Sequence, residues 1–87
     1  MTLDPPKKGA LMHSDDTLDC RGLRCPRPIV EMAKRMRTMV SGQVLEVLAD
    51  DPVAKKDVPN WCSVTGNEFL ERLDEDKFFR FYVKKTV

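Results

Sequence analysis

Hydrophobic side chains recur at helical spacing between residues 29 and 40. The apolar positions of this segment are Ile29, Val30, Met32, Ala33, Met36, Met39 and Val40. This recurrence at i, i+3, i+4 and i+7 is typical of an amphipathic helix that buries one face. Gly42 follows, at a position where glycine commonly ends a helix. The pattern therefore predicts a first helix over residues 29–40, closed by Ser41 and Gly42.

Two strand-like segments flank this helix. Residues 17–20 form a short candidate strand that runs into a loop at 21–24. Residues 43–49 are largely apolar on both faces, which is typical of a central, covered strand. A strand, a helix and a second strand in this order predict two parallel strands joined by a right-handed crossover.

A second helix is predicted to begin at Asp51 and end at Gly66. Asp51 is suited to the N-cap and Pro52 to the first helical position. Pro59 lies inside the segment and is expected to kink the helix or split it in two. The predicted buried face consists of Ala54, Val58, Trp61, Cys62 and Thr65.

The last third of the chain predicts an antiparallel hairpin. Residues 69–73 and 78–84 alternate in the manner of strands, and the polar residues 74–77 join them. The element order is then βαβαββ. The expected fold class is α/β, a two-layer α/β sandwich with one mixed four-stranded sheet and two helices packed on one face.

Length and composition set the remaining expectations about the chain. Its 87 residues predict one domain, over 17–87, preceded by a flexible N-terminal tail, 1–16, without a periodic apolar pattern. Neither a signal segment nor a membrane span is expected, because no apolar run is long enough. Three cysteines are too few for a disulfide scaffold of this size. A reducing compartment, the cytoplasm, is therefore expected, and a monomer is the default.

The sequence Cys25-Pro26-Arg27-Pro28 carries the candidate chemistry. Proline is well tolerated in the first helical turn, so Cys25 is expected at the N-cap or just ahead of it. The free N–H groups and the dipole of a helix N-terminus favour an anion there. A thiolate at that place has a lowered pKa and is the reactive form of cysteine. The motif therefore predicts an exposed nucleophilic sulfur.

Positive charge is concentrated in the sequence around Cys25. Residues 17–40 carry six basic and two acidic side chains, whereas residues 41–87 carry seven basic and nine acidic ones. We expect Arg21, Arg24 and Arg27 to stabilise the Cys25 anion and to steer an acidic partner. Direct nucleic-acid binding is not expected, because no recognised motif accompanies these arginines.

The other two cysteines have different expected roles. Cys20 ends the first predicted strand and is either a structural residue or a second thiol linked to Cys25 by redox chemistry. Cys62 lies on the predicted buried face of helix two, where a free cysteine packs as a small apolar residue. No metal site is expected, because the cysteines are not spaced as zinc ligands and His13 lies in the tail. No cofactor is expected either.

Residues 18–28, Leu-Asp-Cys-Arg-Gly-Leu-Arg-Cys-Pro-Arg-Pro, resemble the N-terminal signature of the TusA/SirA-like sulfur-carrier proteins, whose core is Cys-Pro-x-Pro. The segments 49–52, Ala-Asp-Asp-Pro, and 57–62, Asp-Val-Pro-Asn-Trp-Cys, resemble the places where that family starts and kinks its second helix. The resemblance covers about residues 17–85 and implies a βαβαββ fold, in agreement with the hydrophobic pattern.

The resemblance also implies a function for Cys25. In this family the cysteine of the motif accepts sulfane sulfur as a persulfide, from a cysteine desulfurase or a rhodanese-like protein, and passes it to a partner cysteine. A DsrE/TusD-like protein is the implied acceptor, and the paths end in tRNA thiolation, molybdenum cofactor synthesis or sulfur oxidation. The supporting positions of the motif are Gly22, Arg21, Arg24, Pro26, Arg27 and Pro28. The protein would be a relay component rather than an independent enzyme.

Two other hypotheses remain open from the sequence. The chain could be a regulatory or interaction module of the same fold, in which Cys25 is dispensable for partner binding. It could also be a thiol redox protein that cycles a Cys20–Cys25 disulfide. Redox pairs more typically read Cys-x-x-Cys at a helix start, whereas position 28 here is proline.

Overall fold

The structure, a computed structural model, describes residues 13–87 and contains four strands and two helices. The strands are β1 (Asp16–Asp19), β2 (Val44–Ala49), β3 (Glu68–Asp74) and β4 (Phe79–Lys84). The helices are α1 (Arg27–Arg37) and α2 (Ala54–Thr65). The predicted tail falls mainly on residues 1–12, which lie outside the described residues. The sheet itself begins at Asp16, one residue before the predicted start of the domain.

The strands form one mixed sheet in the order β1-β2-β4-β3. β1 runs parallel to β2, with Asp16 opposite Leu45 and Asp19 opposite Leu48. β4 is antiparallel to both β2 and β3, and a register shift interrupts the β3–β4 pairing between Phe69 and Glu71. The predicted α/β two-layer architecture with its βαβαββ order is confirmed.

The core lies between the two helices and one face of the sheet. Three β2 side chains, Leu45, Val47 and Ala49, are fully buried on this face. The alternate β2 residues Val44, Glu46 and Leu48 are only half-buried. The prediction that β2 is covered on both faces is therefore wrong, although β2 is central. Both helices pack on the same side, so apolar residues on the other face stay partly open to solvent.

A polar network occupies the open face of the sheet. The Glu46 carboxylate accepts hydrogen bonds from the Tyr82 hydroxyl at 2.7 Å, the Arg80 guanidinium at 2.9 Å and the Thr17 hydroxyl at 2.8 Å. Burial alone would raise the pKa of Glu46, but these three donors together hold it below its usual value. Burial and the bond to Glu46 raise the pKa of Tyr82 to about 12. This network links β1, β2 and β4.

Helix α1 begins and ends earlier than predicted. It starts at Arg27, with Pro26 at the N-cap and Pro28 buried in the first turn. It ends at Arg37, because the next two N–H groups close the last turn: that of Thr38 on the Arg35 carbonyl at 3.0 Å and that of Met39 on the Met36 carbonyl at 3.1 Å. The Lys85 ammonium group also bonds the carbonyls of Met36 and Met39, at 2.8 and 2.7 Å. A contact from the far end of the chain thus helps to cap α1.

Helix α2 is one continuous element from Ala54 to Thr65, so the predicted split at Pro59 does not occur. Its buried face, Ala54, Val58 and Cys62, holds the segment against the core on both sides of the proline. Asp51 is not its N-cap, because a turn at Pro52 and Val53 precedes the helix and Val53 holds the N-cap position. Gly66 ends α2 in the left-handed conformation, at φ 89°, as predicted.

Candidate functional site

Two loops meet at one edge of the sheet. Because β1 and β2 are parallel, their carboxyl ends lie side by side, and the segments that follow them are neighbours. The loop after β1, residues 20–26, carries Cys25. The segment after β2 opens with the two carboxylates of Asp50 and Asp51. The sheet therefore brings the cysteine loop against a pair of acids that lies 25 or more positions further along the chain.

Three hydrogen bonds hold the cysteine loop to these acids. The Asp50 Oδ1 atom accepts the Gly22 N–H at 3.0 Å and a bond from Arg24 Nη1 at 3.2 Å. The Asp51 Oδ2 atom accepts the Cys25 N–H at 2.9 Å. Gly22 has φ +88°, a left-handed conformation that glycine adopts without steric cost. Gly22 thus lets the loop turn so that the N–H groups of Gly22 and Cys25 face the carboxylates that follow β2.

Asp51 connects the cysteine to the start of α2. Its side chain is buried, and its second oxygen, Oδ1, accepts the Val53 N–H at 3.1 Å in the turn that leads into the helix. The hydrogen bonds from these two backbone N–H groups lower the pKa of Asp51, and the bond from Cys25 has the largest effect. One ionised side chain therefore positions both the Cys25 backbone and the segment from which α2 begins.

The Cys25 thiol is exposed and lies just ahead of the N-cap Pro26, as the sequence predicted. Its Sγ atom donates a hydrogen bond to Oδ2 of Asp57, in the first turn of α2, at 3.3 Å. This bond first, then burial and the charges of Asp57 and Asp51, raise the pKa of Cys25. The prediction of a lowered pKa is wrong, because two aspartates that are distant in sequence face the loop of the sulfur.

The arginines of the motif are largely neutralised by neighbouring acids. Arg21 forms a bidentate pair with Asp19, with both N···O distances at 2.9 Å. Arg24 pairs with Asp50 at 3.2 Å. Within residues 13–87, Arg27 forms no ion pair and projects from the start of α1. The basic excess that the sequence places around Cys25 is therefore offset in three dimensions at Arg21 and Arg24.

Cys20 and Cys62 are buried in the core. Burial raises the pKa of each thiol from about 9 to about 11, with smaller contributions at Cys20 from Glu31 and Asp19. A thiolate is the nucleophilic form of cysteine, so neither residue is reactive at neutral pH while the protein is folded. Cys25 is thus the accessible thiol of the three.

The two buried thiols make folding sensitive to alkaline pH. Because their pKa values are raised in the folded state, the folded protein keeps protons that the unfolded chain releases. Their stabilisation is complete below about pH 9 and declines as the pH rises towards about 11. We expect a lower urea midpoint at about pH 10.5 than at about pH 8. Cys62→Ala should reduce that decrease, and an equal decrease in this variant would contradict the assignment.

An open groove of about 330 Å³ lies beside the thiol. It is lined by Pro26, Ile29, Asp57, Asn60, Trp61 and Val64. Because Pro26 follows Cys25 and Asp57 bonds its sulfur, the groove lies next to the reactive atom. Trp61, which the sequence assigned to the core, is only partly buried and forms part of this wall. The walls of the groove come from both helices.

Three site residues, Asp50, Asp51 and Asp57, were not predicted from the sequence. The sequence places Asp50 and Asp51 at the start of helix two. Asp57 belongs to the segment 57–62, which resembles the place where the family kinks its second helix. A usable signal was present, since acids placed directly after a strand lie next to the loop that follows its parallel neighbour. No such signal pointed to Asp57. Its contact with Cys25 depends on how α2 packs beside the loop.

Two further kinds of feature bear on the function of the described part of the chain, a group of metal ligands and a membrane-spanning helix. Among residues 13–87, no three histidine, cysteine, aspartate or glutamate side chains are placed to hold a metal ion. No helix in the same residues is both long and apolar enough to span a bilayer.

Comparison with known proteins places this arrangement in a family. The family model described as Sulfurtransferase TusA matches residues 16–85. YrkI of Bacillus subtilis (strain 168), a candidate sulfur carrier protein by name, is 45% identical over 74 residues, which are 85% of this chain and 99% of YrkI. A crystal structure of a SirA-like protein from Desulfitobacterium hafniense has the same fold, with a TM-score of 0.73 at 22% identity over 83% of this chain and 99% of that one. The chain belongs to the TusA family of sulfur-carrier proteins.

Proposed function

We propose that this protein accepts sulfane sulfur as a persulfide on Cys25 and transfers it to a cysteine of a partner protein. The observation that carries the proposal is the contrast among the three thiols. Cys25 is exposed, whereas Cys20 and Cys62 are buried and have pKa values of about 11. A carrier needs one sulfur that two successive partners can reach, and Cys25 has that exposure.

Loading is an exchange between two sulfur atoms. The Cys25 sulfur attacks the outer sulfur of a persulfide on the donor protein. A new S–S bond forms at Cys25, the S–S bond of the donor breaks, and the donor cysteine leaves with the electron pair as a thiolate. Unloading repeats the same exchange, with the partner thiolate as nucleophile and Cys25 as the leaving group. No external oxidant or reductant is consumed in either step.

The lack of a second exposed thiol supports a carrier over a redox protein. A free thiol next to a persulfide would displace the outer sulfur and form a disulfide. Cys20 is five positions from Cys25, but its side chain is completely buried and its raised pKa disfavours the attacking thiolate. The persulfide on Cys25 would therefore survive until a partner arrives.

The family and this chemistry support a sulfur donor and a sulfur acceptor as partners. We propose a cysteine desulfurase or a rhodanese-like protein as the donor and a DsrE/TusD-like protein as the acceptor, in the cytoplasm. The relay would serve tRNA thiolation, molybdenum cofactor synthesis or sulfur oxidation. We propose that the protein acts as a monomer between its partners. It needs no cofactor, because the transferred group itself carries the reactive sulfur.

Mass spectrometry of the loaded protein tests the proposal. The reduced protein is incubated either with a cysteine desulfurase and cysteine or with a rhodanese and thiosulfate. We expect a mass gain of one sulfur atom that maps to the peptide containing Cys25 and disappears on treatment with dithiothreitol. No gain with either donor would overturn the proposal. If partners still bound the unloaded protein, the result would favour a regulatory module of the same fold.

A further inference from the structure

We infer that Asp57 is a catalytic residue of sulfur loading, the base that takes the proton from the Cys25 thiol as the sulfur attacks the donor persulfide. This inference rests on the proposed function and adds to it a residue with a defined chemical role. It starts from the 3.3 Å hydrogen bond between Cys25 Sγ and Asp57 Oδ2. This bond joins a candidate nucleophile to a carboxylate, the arrangement that an activating base requires.

The other two acids of the site are engaged elsewhere. Asp50 accepts bonds from Gly22 and Arg24, and Asp51 accepts the N–H groups of Cys25 and Val53. Both therefore hold the backbone of the site in place. Within residues 13–87, Asp57 forms no ion pair, and the hydrogen bond that its carboxylate accepts comes from the reactive sulfur. It is also only half-buried, so the proton it receives can pass on to the leaving group or to solvent.

A base is needed because the environment of Cys25 favours the neutral thiol. The neighbouring carboxylates of Asp57 and Asp51 raise the pKa of Cys25, so little thiolate exists at neutral pH. Attack on a persulfide nevertheless requires the sulfur to lose its proton. Asp57 can take that proton during the attack, because its Oδ2 atom is already within hydrogen-bond distance of Cys25 Sγ.

The step balances in atoms and charge. The Cys25 Sγ–H bond breaks, its proton moves to Asp57 Oδ2, and the sulfur electron pair forms the bond to the outer sulfur of the donor. The donor S–S bond breaks and its inner sulfur leaves as a thiolate. That thiolate then takes this proton from Asp57. The products are a Cys25 persulfide, a donor thiol and the original carboxylate.

Asp57 has a second effect in the resting protein. An exposed cysteine is open to oxidants and alkylating agents, which react with the thiolate. By keeping Cys25 protonated, Asp57 slows these side reactions until a donor persulfide is in place. The donor thiolate takes the proton from Asp57 as it leaves, whereas the iodide of an alkylating agent leaves without a proton. The same carboxylate is therefore expected to slow alkylation, which depends on the free thiolate, and to accelerate sulfur loading. These opposite effects distinguish a base from a residue that merely shapes the loop.

Asp57→Asn separates the two effects, because the amide keeps the shape of the carboxylate but cannot take the proton. Alkylation of Cys25 by iodoacetamide and single-turnover loading from a rhodanese persulfide, made with thiosulfate, are measured at neutral pH. We expect alkylation to become at least about threefold faster, because the thiol pKa falls. Loading should become at least about tenfold slower, since general bases commonly contribute more than that. Asp57→Glu, which restores a carboxylate, should recover part of the loading rate.

Asp74→Asn is the matched control, since it removes the same charge from an exposed β3 position paired with Arg72. It should leave both rates unchanged. Loading of Asp57→Asn at or above the wild-type rate would overturn the role of Asp57 while leaving the carrier function intact. Loss of both reactivities without recovery in Asp57→Glu would indicate a structural role and would also overturn it. Failure of the wild-type protein to load would instead remove the carrier function itself.

Discussion

Replacing Cys25 by serine is expected to abolish sulfur loading. A serine hydroxyl has nearly the same shape as the thiol, so the loop and its bond to Asp51 should persist. The hydroxyl cannot form a persulfide, and no other thiol is exposed to replace it. Intact mass spectra after incubation with a rhodanese and thiosulfate should therefore show no mass gain in Cys25→Ser under conditions that load the wild-type protein.

Cys62→Ala provides the matched control for this experiment. It removes a thiol of the same chain from the buried face of α2, and it should load to the same extent as the wild-type protein. Cys20→Ala is expected to behave in the same way if Cys20 is purely structural. Sulfur retained by Cys25→Ser, or lost from Cys62→Ala, would contradict the assignment of Cys25. Dependence of loading on Cys20 would point to the redox alternative.

Phe81→Ala is expected to cause a large decrease in the free energy of unfolding. Phe81 lies on β4, is fully buried, and has ring centroids of Phe69 and Phe79 at 6.4 and 6.3 Å. Removing a buried phenylalanine ring costs about 3–5 kcal/mol, through lost burial and the cavity left behind. A domain of this size has about 5–15 kcal/mol of stability in total, so the variant should be marginally folded.

Urea denaturation followed by circular dichroism measures this loss. At an m-value of about 1 kcal/mol/M, the midpoint should decrease by roughly 3 M or the cooperative transition should disappear. Phe81→Leu, which keeps much of the apolar volume, should lose about 1 kcal/mol. Val64→Ala, at a position that is 77% exposed, should change the midpoint very little. A Phe81→Ala midpoint close to that of Val64→Ala would contradict this account of the core.

The site suggests how a carrier can expose its nucleophile without leaving it permanently reactive. The helix start and the basic residues near Cys25 favour an anion, whereas Asp57 and Asp51 oppose it. The acids have the larger effect at Cys25 itself, because Asp57 bonds the sulfur directly while Arg21 and Arg24 are paired with Asp19 and Asp50. A donor protein would therefore meet a neutral thiol that is activated at the moment of transfer.

Much of the fold follows from local patterns in the sequence. The period of the apolar residues identifies both helices, and alternation identifies the β3–β4 hairpin, because each pattern depends on neighbours within a few positions. Gly66 ends α2 as expected for the same reason. The C-terminal end of α1 was less predictable, since the distant Lys85 side chain helps to cap it.

The sequence by itself determined the order of the elements, the family and the identity of Cys25 as the candidate nucleophile. It also determined that acids follow β2, although it did not reveal their contacts. Tertiary structure alone decided which charges surround the sulfur. Asp51 and Asp57 are 26 and 32 residues from Cys25 in sequence, and they reach it because β1 and β2 are parallel and α2 begins at the same edge. Electrostatic effects depend on distance in space, so the direction of the Cys25 pKa shift followed from the folded arrangement and not from the local charge count.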